Sequence, residues 1–185
     1  MVNDLITNGW IVIDNFLEEK EFNHLRDSMI GKDYPHGLQP PPLPWFYNDT
    51  IDNPEEEQSK FQFTHTFFDD EKPKSSAFQE FAPMFKKIVG VCQLIRIKAN
   101  LLTRTPTIVQ NTFHTDFGVV NNEKGNVLTS IFYINANNGH TLFEDGTKVE
   151  SVANRLITFP TDVSHTGTSC TDEKIRVVIN FNYIL

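Results

Sequence analysis

From residue 91 to its end the chain breaks into short runs rich in Val, Ile, Phe and Thr, and this punctuation limits the fold more than any other feature. The runs cover 91–98, 107–113, 116–120, 127–134, 141–143, 155–159 and 175–184, with turn residues between them. β-branched and aromatic side chains suit a pleated, half-buried surface, so each run predicts a strand. Asn121 to Asn126 reads as a hairpin connection, and Asn135 to Gly139 as another turn-rich break. Many short strands in succession predict two sheets closed into a barrel.

The first half carries helices. Residues 9–13 predict a strand, and Asn15 then looks like a helix N-cap with Glu18 completing a capping box. Phe22, Leu25 and Met29 follow at helical spacing, and Gly31 ends that helix. Within 75–90, Phe78, Phe81, Ala82, Phe85, Ile88 and Val89 form one apolar stripe, with Pro83 expected to kink the helix or open a second segment. Residues 61–68 alternate as a strand. Phe61, Phe63, His65 and Phe67 share a face, and His65 reads as a structural or pocket-lining residue rather than a metal ligand. Segment 32–60 carries Pro35, Pro40, Pro41, Pro42 and Pro44 and the aromatics Tyr34, Trp45, Phe46 and Tyr47. It is either a lid facing substrate or a packed surface loop. The expected fold class is α+β: a double-stranded β-helix (jelly-roll) barrel with N-terminal helices packed on one sheet. One domain is expected to span 1–185, with its strand-rich core at about 91–185.

Composition narrows the function. With 39% hydrophobic residues and 16 Phe in 185 residues, the chain can bury a substantial core. A net charge of −8 argues against nucleic acid as partner, because phosphate binding needs a basic surface. Cys92 and Cys170 are too few for a disulfide framework and lack zinc spacing, although a single disulfide stays open. No leader-like or membrane-spanning run is seen, so the expectation is a soluble, cytoplasmic protein. Its oligomeric state is left open.

Three residues point to a metal. In His114-Thr115-Asp116, a strand would aim both ligating side chains into one space. His165 follows 49 residues later, after Phe159-Pro160-Thr161-Asp162. Two histidines and a carboxylate on one face of an octahedron leave three positions open, which suits iron(II) oxygenases; zinc sites with the same donors also exist. Arg176 lies 11 residues past His165. By alternation it shares a face with Val178, Asn180 and Asn182, opposite Ile175, Val177, Ile179, Phe181 and Tyr183. An inward guanidinium beside such a triad is suited to grip the far carboxylate of 2-oxoglutarate by two parallel hydrogen bonds.

The stretch from about 94 to 184 resembles the catalytic core of the 2-oxoglutarate/iron(II) dioxygenases, most closely the prolyl 4-hydroxylase-like branch. The ordered matches are His114-Thr115-Asp116, Thr129 to Asn135 (T-x-x-x-Y-L-N), Gly139 to Phe143 (G-G-x-T-x-F), Leu156 to Pro160, His165, and Arg176 to Asn180 (K-x-x-x-N). The chain departs from the pattern where His140 replaces the second Gly and Arg176 replaces Lys. Leu101-Leu102-Thr103 offers no counterpart to a Tyr before HxD.

The resemblance implies iron(II) held by His114, Asp116 and His165, with Arg176, Thr141 and Asn180 binding the co-substrate 2-oxoglutarate. O2 is the oxidant and ascorbate a candidate addition. The implied activity is hydroxylation of a peptidyl (including prolyl) or small-molecule substrate. Two other readings stay open: a cupin-like metal enzyme that does not use 2-oxoglutarate, and a non-catalytic barrel that binds without turnover.

Overall fold

The computed structural model describes residues 9–34, 37–38, 43–51, 60–90, 93–116 and 127–185. The expected hairpin at 121–126 and residues 117–120 of the expected 116–120 strand lie outside them, as do Cys92 and parts of the 32–60 segment. The described elements are β1 (Ile11–Ile13), α1 (Glu19–Ile30), β2 (Asp33–Tyr34), β3 (Gly37–Leu38), β4 (Phe46–Asn48), β5 (Gln62–Asp69), β6 (Lys72–Pro73), α2 (Ala77–Val89), β7 (Gln93–Thr103), β8 (Val127–Tyr133), β9 (His140–Phe143), β10 (Lys148–Glu150), β11 (Leu156–Pro160), β12 (His165–Gly167) and β13 (Ile175–Ile184).

The described strands form a large antiparallel sheet, a small three-stranded one and a separate β2-β3 pair. The large sheet runs β1-β11-β8-β13-β7-β5-β4, with β6 paired to β5, and the small one runs β10-β9-β12. This mostly-sheet arrangement with two helices is consistent with a jelly roll. No described helix is long and apolar enough to cross a membrane.

Alternation along β13 organises the interior. Val177, Ile179, Phe181 and Tyr183 belong to a buried apolar cluster shared with Phe22, Leu25 and Met29 of α1 and Phe81, Phe85 and Ile88 of α2. The Phe85 ring lies 5.4 Å from that of Phe181, and Phe22 lies 6.1 Å from Phe132 of β8. Each such ring contributes roughly 2–3 kcal/mol when fully buried. The other face of β13 is polar. Arg176, Val178, Asn180 and Asn182 stand opposite Leu102, Asn100, Lys98 and Arg96 of β7. A second cluster, including Ile131, Tyr133, Phe143, Val149 and Phe159, joins the large sheet to the small one.

Several expectations need correction. Asn15 does not cap α1: its φ is 52°, and the helix starts at Glu19 behind Glu18, with no side-chain cap. Asn154 captures the chain there instead, accepting from the Leu17 N–H at 2.9 Å and donating to the Leu17 carbonyl at 2.8 Å. Asn tolerates the left-handed turn this requires. Gly31 does end α1, at φ 80°. Pro83 leaves α2 unbroken. Pro83 and Gln79, the residue whose carbonyl loses its amide partner, are both exposed. β7 runs on to Thr103, past the expected end at 98, while 107–113 is not a strand. That stretch meets the small-sheet side through an isolated bridge, Gln110 to Thr168, and a second bridge follows just after it, His114 to His165. β10 and β12 were not anticipated.

Candidate metal centre

His114 and His165 exchange backbone hydrogen bonds, each amide donating to the other's carbonyl at 3.0 Å. This bridge sets the two imidazoles side by side, with ring centroids 4.8 Å apart. Asp116 follows two residues on, outside any strand, and its Oδ1 stands 4.0 Å from His114 Nε2. One ligand atom from each of the three residues lies within 4.8 Å of the others. The convergence therefore comes from the bridge to β12, not from the expected alternation within a strand at 114–116.

Neighbouring groups fix which atoms face the centre. His165 Nδ1 lies 3.0 Å from the Val163 carbonyl, and His114 Nδ1 lies 3.2 Å from that of Thr112. A carbonyl only accepts, so each Nδ1 carries the hydrogen and each Nε2 is the ring nitrogen left to face a metal. Burial holds His165 below the usual histidine range. The charge of His114 adds to this, and Asp116 opposes it. For Asp116, burial alone would raise the carboxyl. His165, a hydrogen bond from Asn182, Arg96 and Thr129 prevail, and the group is held below the ordinary carboxylate range. Two imidazoles and an ionised carboxylate form a donor set fit for a divalent transition metal.

Arg176 is buried at 4% exposure. Its Nε donates to Ser151 Oγ at 2.9 Å and its Nη2 to Thr141 Oγ1 at 3.3 Å. Its guanidinium carbon lies 5.8 Å from the Tyr133 ring, whose hydroxyl also donates to Thr141 at 2.8 Å. Among the described residues no carboxylate comes within ion-pair distance of it. Burial pulls its pKa down, against Tyr133 and Cys170. Close approach by glycine makes room for the side chain. A Cβ at Gly139 would sit 2.7 Å from Arg176 Cδ, and one at Gly167 would sit 3.4 Å from its Nη1.

One cavity of about 310 Å³ joins these parts: the three candidate ligands, Arg176, Thr141 and Asn180 all line it, together with Arg96 and Lys98. The Asn180 Oδ1 is buried and accepts no hydrogen bond among the described residues. His65 lies elsewhere, 4.6 Å from the Phe67 ring with its Nδ1 2.8 Å from the Pro44 carbonyl, and it lines a different cavity. Sequence reasoning missed Ser151, Tyr133, Thr129 and Arg96 as members of the site. Alternation could have found Asn182, which shares the Arg176 face. Nothing in the sequence marks Ser151.

No known protein-family description matches the sequence, and no curated protein matches it. Solved structures do. A Pseudomonas putida prolyl-4-hydroxylase is similar with a TM-score of 0.55 at 17% identity, covering 100% of this chain and 97% of its own. An oxidoreductase of the 2OG-Fe(II) oxygenase family from Burkholderia pseudomallei gives a TM-score of 0.63 at 9% identity, covering 98% and 88%. A non-heme alpha ketoglutarate dependent epimerase from nogalamycin biosynthesis gives 0.63 at 12% identity, covering 98% and 80%. The chain has the fold of these 2-oxoglutarate/iron(II) oxygenases.

Proposed function

We propose that the chain is an iron(II)- and 2-oxoglutarate-dependent oxygenase, with His114, Asp116 and His165 as metal ligands and Arg176 as anchor for the C5 carboxylate of 2-oxoglutarate. One observation carries this reading. A buried guanidinium, hydrogen-bonded only to hydroxyl groups among the described residues, faces the same cavity as a His-Asp-His cluster. An isolated buried charge is strongly unfavourable, and a dicarboxylate chelating the metal at one end would neutralise it at the other. Thr141 would share the same carboxylate through its hydroxyl, and Asn180 would offer its amide further along the wall.

Bound iron(II), with 2-oxoglutarate and O2, supplies the oxidising chemistry. The protein's part is to hold and orient. The two Nε2 atoms and one Asp116 oxygen would hold the metal. Arg176 fixes the depth and angle of the co-substrate. Phe143 and Phe159, packed on the His165 ring at 6.2 and 4.8 Å, keep water from that side. The 1–185 chain acts as one domain. Its two helices are read as a brace on the outer face of the large sheet, supported by the Phe22–Phe132 and Phe85–Phe181 contacts.

The substrate is a peptidyl residue, proline included, or a small molecule. The similar structures include a prolyl hydroxylase in complex with a hypoxia inducible factor peptide and the nogalamycin epimerase, so both classes belong in a first screen. No feature of the described cavity argues for ascorbate. A cupin-like enzyme without 2-oxoglutarate would leave the burial of Arg176 unexplained.

The test is binding followed by turnover. Protein prepared without oxygen should take up iron(II), then bind 2-oxoglutarate only when metal is present, and release succinate with a suitable substrate. Metal-loaded protein that does not bind 2-oxoglutarate refutes the proposal.

A further inference from the structure

Asp116 has two oxygens, and the structure treats them differently. Oδ2 accepts from Thr129 Oγ1 at 2.8 Å and from Asn182 Nδ2 at 2.8 Å. Oδ1 is the oxygen that faces His114 Nε2. Asn182 is fully buried at 0% exposure, and its amide orientation is fixed from both sides. Its Nδ2 also donates to Thr129 Oγ1 at 3.0 Å, and its Oδ1 accepts from Arg96 Nε at 3.1 Å. A flipped amide would turn its oxygen toward a carboxylate and its nitrogen toward a guanidinium. The sheet register builds this arrangement. Asn182 of β13 stands opposite Arg96 of β7 on one side and Thr129 of β8 on the other, and Asp116 rests on that three-strand row.

We infer that Asn182 and Thr129 are positioning residues that commit Asp116 to binding metal through Oδ1 alone. This rests on the metal reading proposed above. A carboxylate can hold a cation with one oxygen or with both. Two-oxygen binding would take one of the three open positions, and a chelating co-substrate plus O2 needs all three. With both acceptor directions of Oδ2 occupied by donors, the second mode requires breaking two hydrogen bonds. The same bonds aim Oδ1 at the imidazoles before any metal arrives.

The test is isothermal titration of the full chain with cobalt(II), a redox-stable stand-in for iron(II), beside thermal melting of the metal-free protein. Thr129→Val keeps the shape and removes the donor, Thr129→Ser keeps the donor, and Asn182→Leu removes the amide. Loss of an outer hydrogen bond to a metal ligand weakens binding by roughly 10- to 100-fold. That loss is expected for Thr129→Val and Asn182→Leu, with Thr129→Ser restored to wild-type affinity; the metal-free melts of the variants establish that each is folded at the titration temperature. Wild-type cobalt affinity in folded Thr129→Val and Asn182→Leu overturns the inference. So does equal weakening in Thr129→Ser and Thr129→Val, which would mark a packing effect. Failure of the underlying reading looks different: the wild-type chain itself would not bind cobalt, or His114→Ala would bind it as well as wild type.

Discussion

Arg176 is the residue whose placement is hardest to explain without a ligand. A protein of net charge −8 has acidic partners to spare, yet this guanidinium is buried among Ser151, Thr141 and the face of Tyr133. Arg176→Ala should therefore leave metal uptake intact and weaken 2-oxoglutarate. Truncating one partner of a buried, hydrogen-bonded charge pair costs about 2–4 kcal/mol, or roughly 30- to 1000-fold in affinity. Titrating 2-oxoglutarate into the metal-loaded variant reads this directly, and an unchanged affinity removes Arg176 from the site. His65 makes a separate claim, about stability. Burial holds its folded pKa below the ordinary 6.5, outweighing the Pro44 hydrogen bond. Below pH 6.5 the unfolded chain thus binds more protons than the folded one, and stability falls with pH until the folded value is passed. His165 and His140 shift the same way. His65→Gln should shrink, without abolishing, the loss of urea midpoint between about pH 7.5 and about pH 5.5. An unaltered pH slope would count against a buried neutral imidazole at this position.

Among the elements, β13 was the most legible. Its alternation puts Arg176, Val178, Asn180 and Asn182 on one face, and the neighbouring triad turns that face inward for Arg176. β7 was half legible. Its C-terminal part contains Lys98, Asn100 and Thr103, polar residues that end a strand in any pattern based on apolar runs. The polarity of Lys98 and Asn100 belongs to the cavity wall, which the sequence does not announce. The small sheet was least legible, because β12 has three residues, His-Thr-Gly, too few to show a period. Yet β12 is what brings His165 to His114. The triad was identified through residue types and spacing, while the mechanism of convergence, a two-residue bridge, lay in tertiary contacts. Asn15 failed as a cap for a similar reason: a distant Asn154 competes for the same stretch of backbone. The helices follow ordinary packing logic. Phe85 of α2 is 2% exposed and lies within 5.0 Å of the Phe67 ring and 5.4 Å of Phe181. Phe85→Ala should destabilise the chain by about 3–5 kcal/mol, seen as a lower denaturation midpoint. A change under about 1 kcal/mol would mean that α2 is not holding the large sheet.

At the scale of the molecule, the candidate site is a joint between two sheets. His165 belongs to the small sheet and holds His114 by the bridge, whereas Asp116 is tied to the large sheet through Thr129 and Asn182, and Arg176 projects from β13 of that sheet. A metal bound by all three ligands would staple the sheets together, and 2-oxoglutarate, spanning from metal to Arg176, would add a second tie. Ligands that bind only the folded state stabilise it by about 2.7 kcal/mol at 100 times their dissociation constant, so both ties should appear as global stabilisation. The expected pattern in thermal melts is a rise with cobalt(II) or manganese(II) and a further rise with 2-oxoglutarate. His114→Ala should lose both increments, because without the metal the dicarboxylate has one anchor. Arg176→Ala should keep the first and lose most of the second. A wild-type melt that responds to 2-oxoglutarate without metal would break this order and place the dicarboxylate at some other cation.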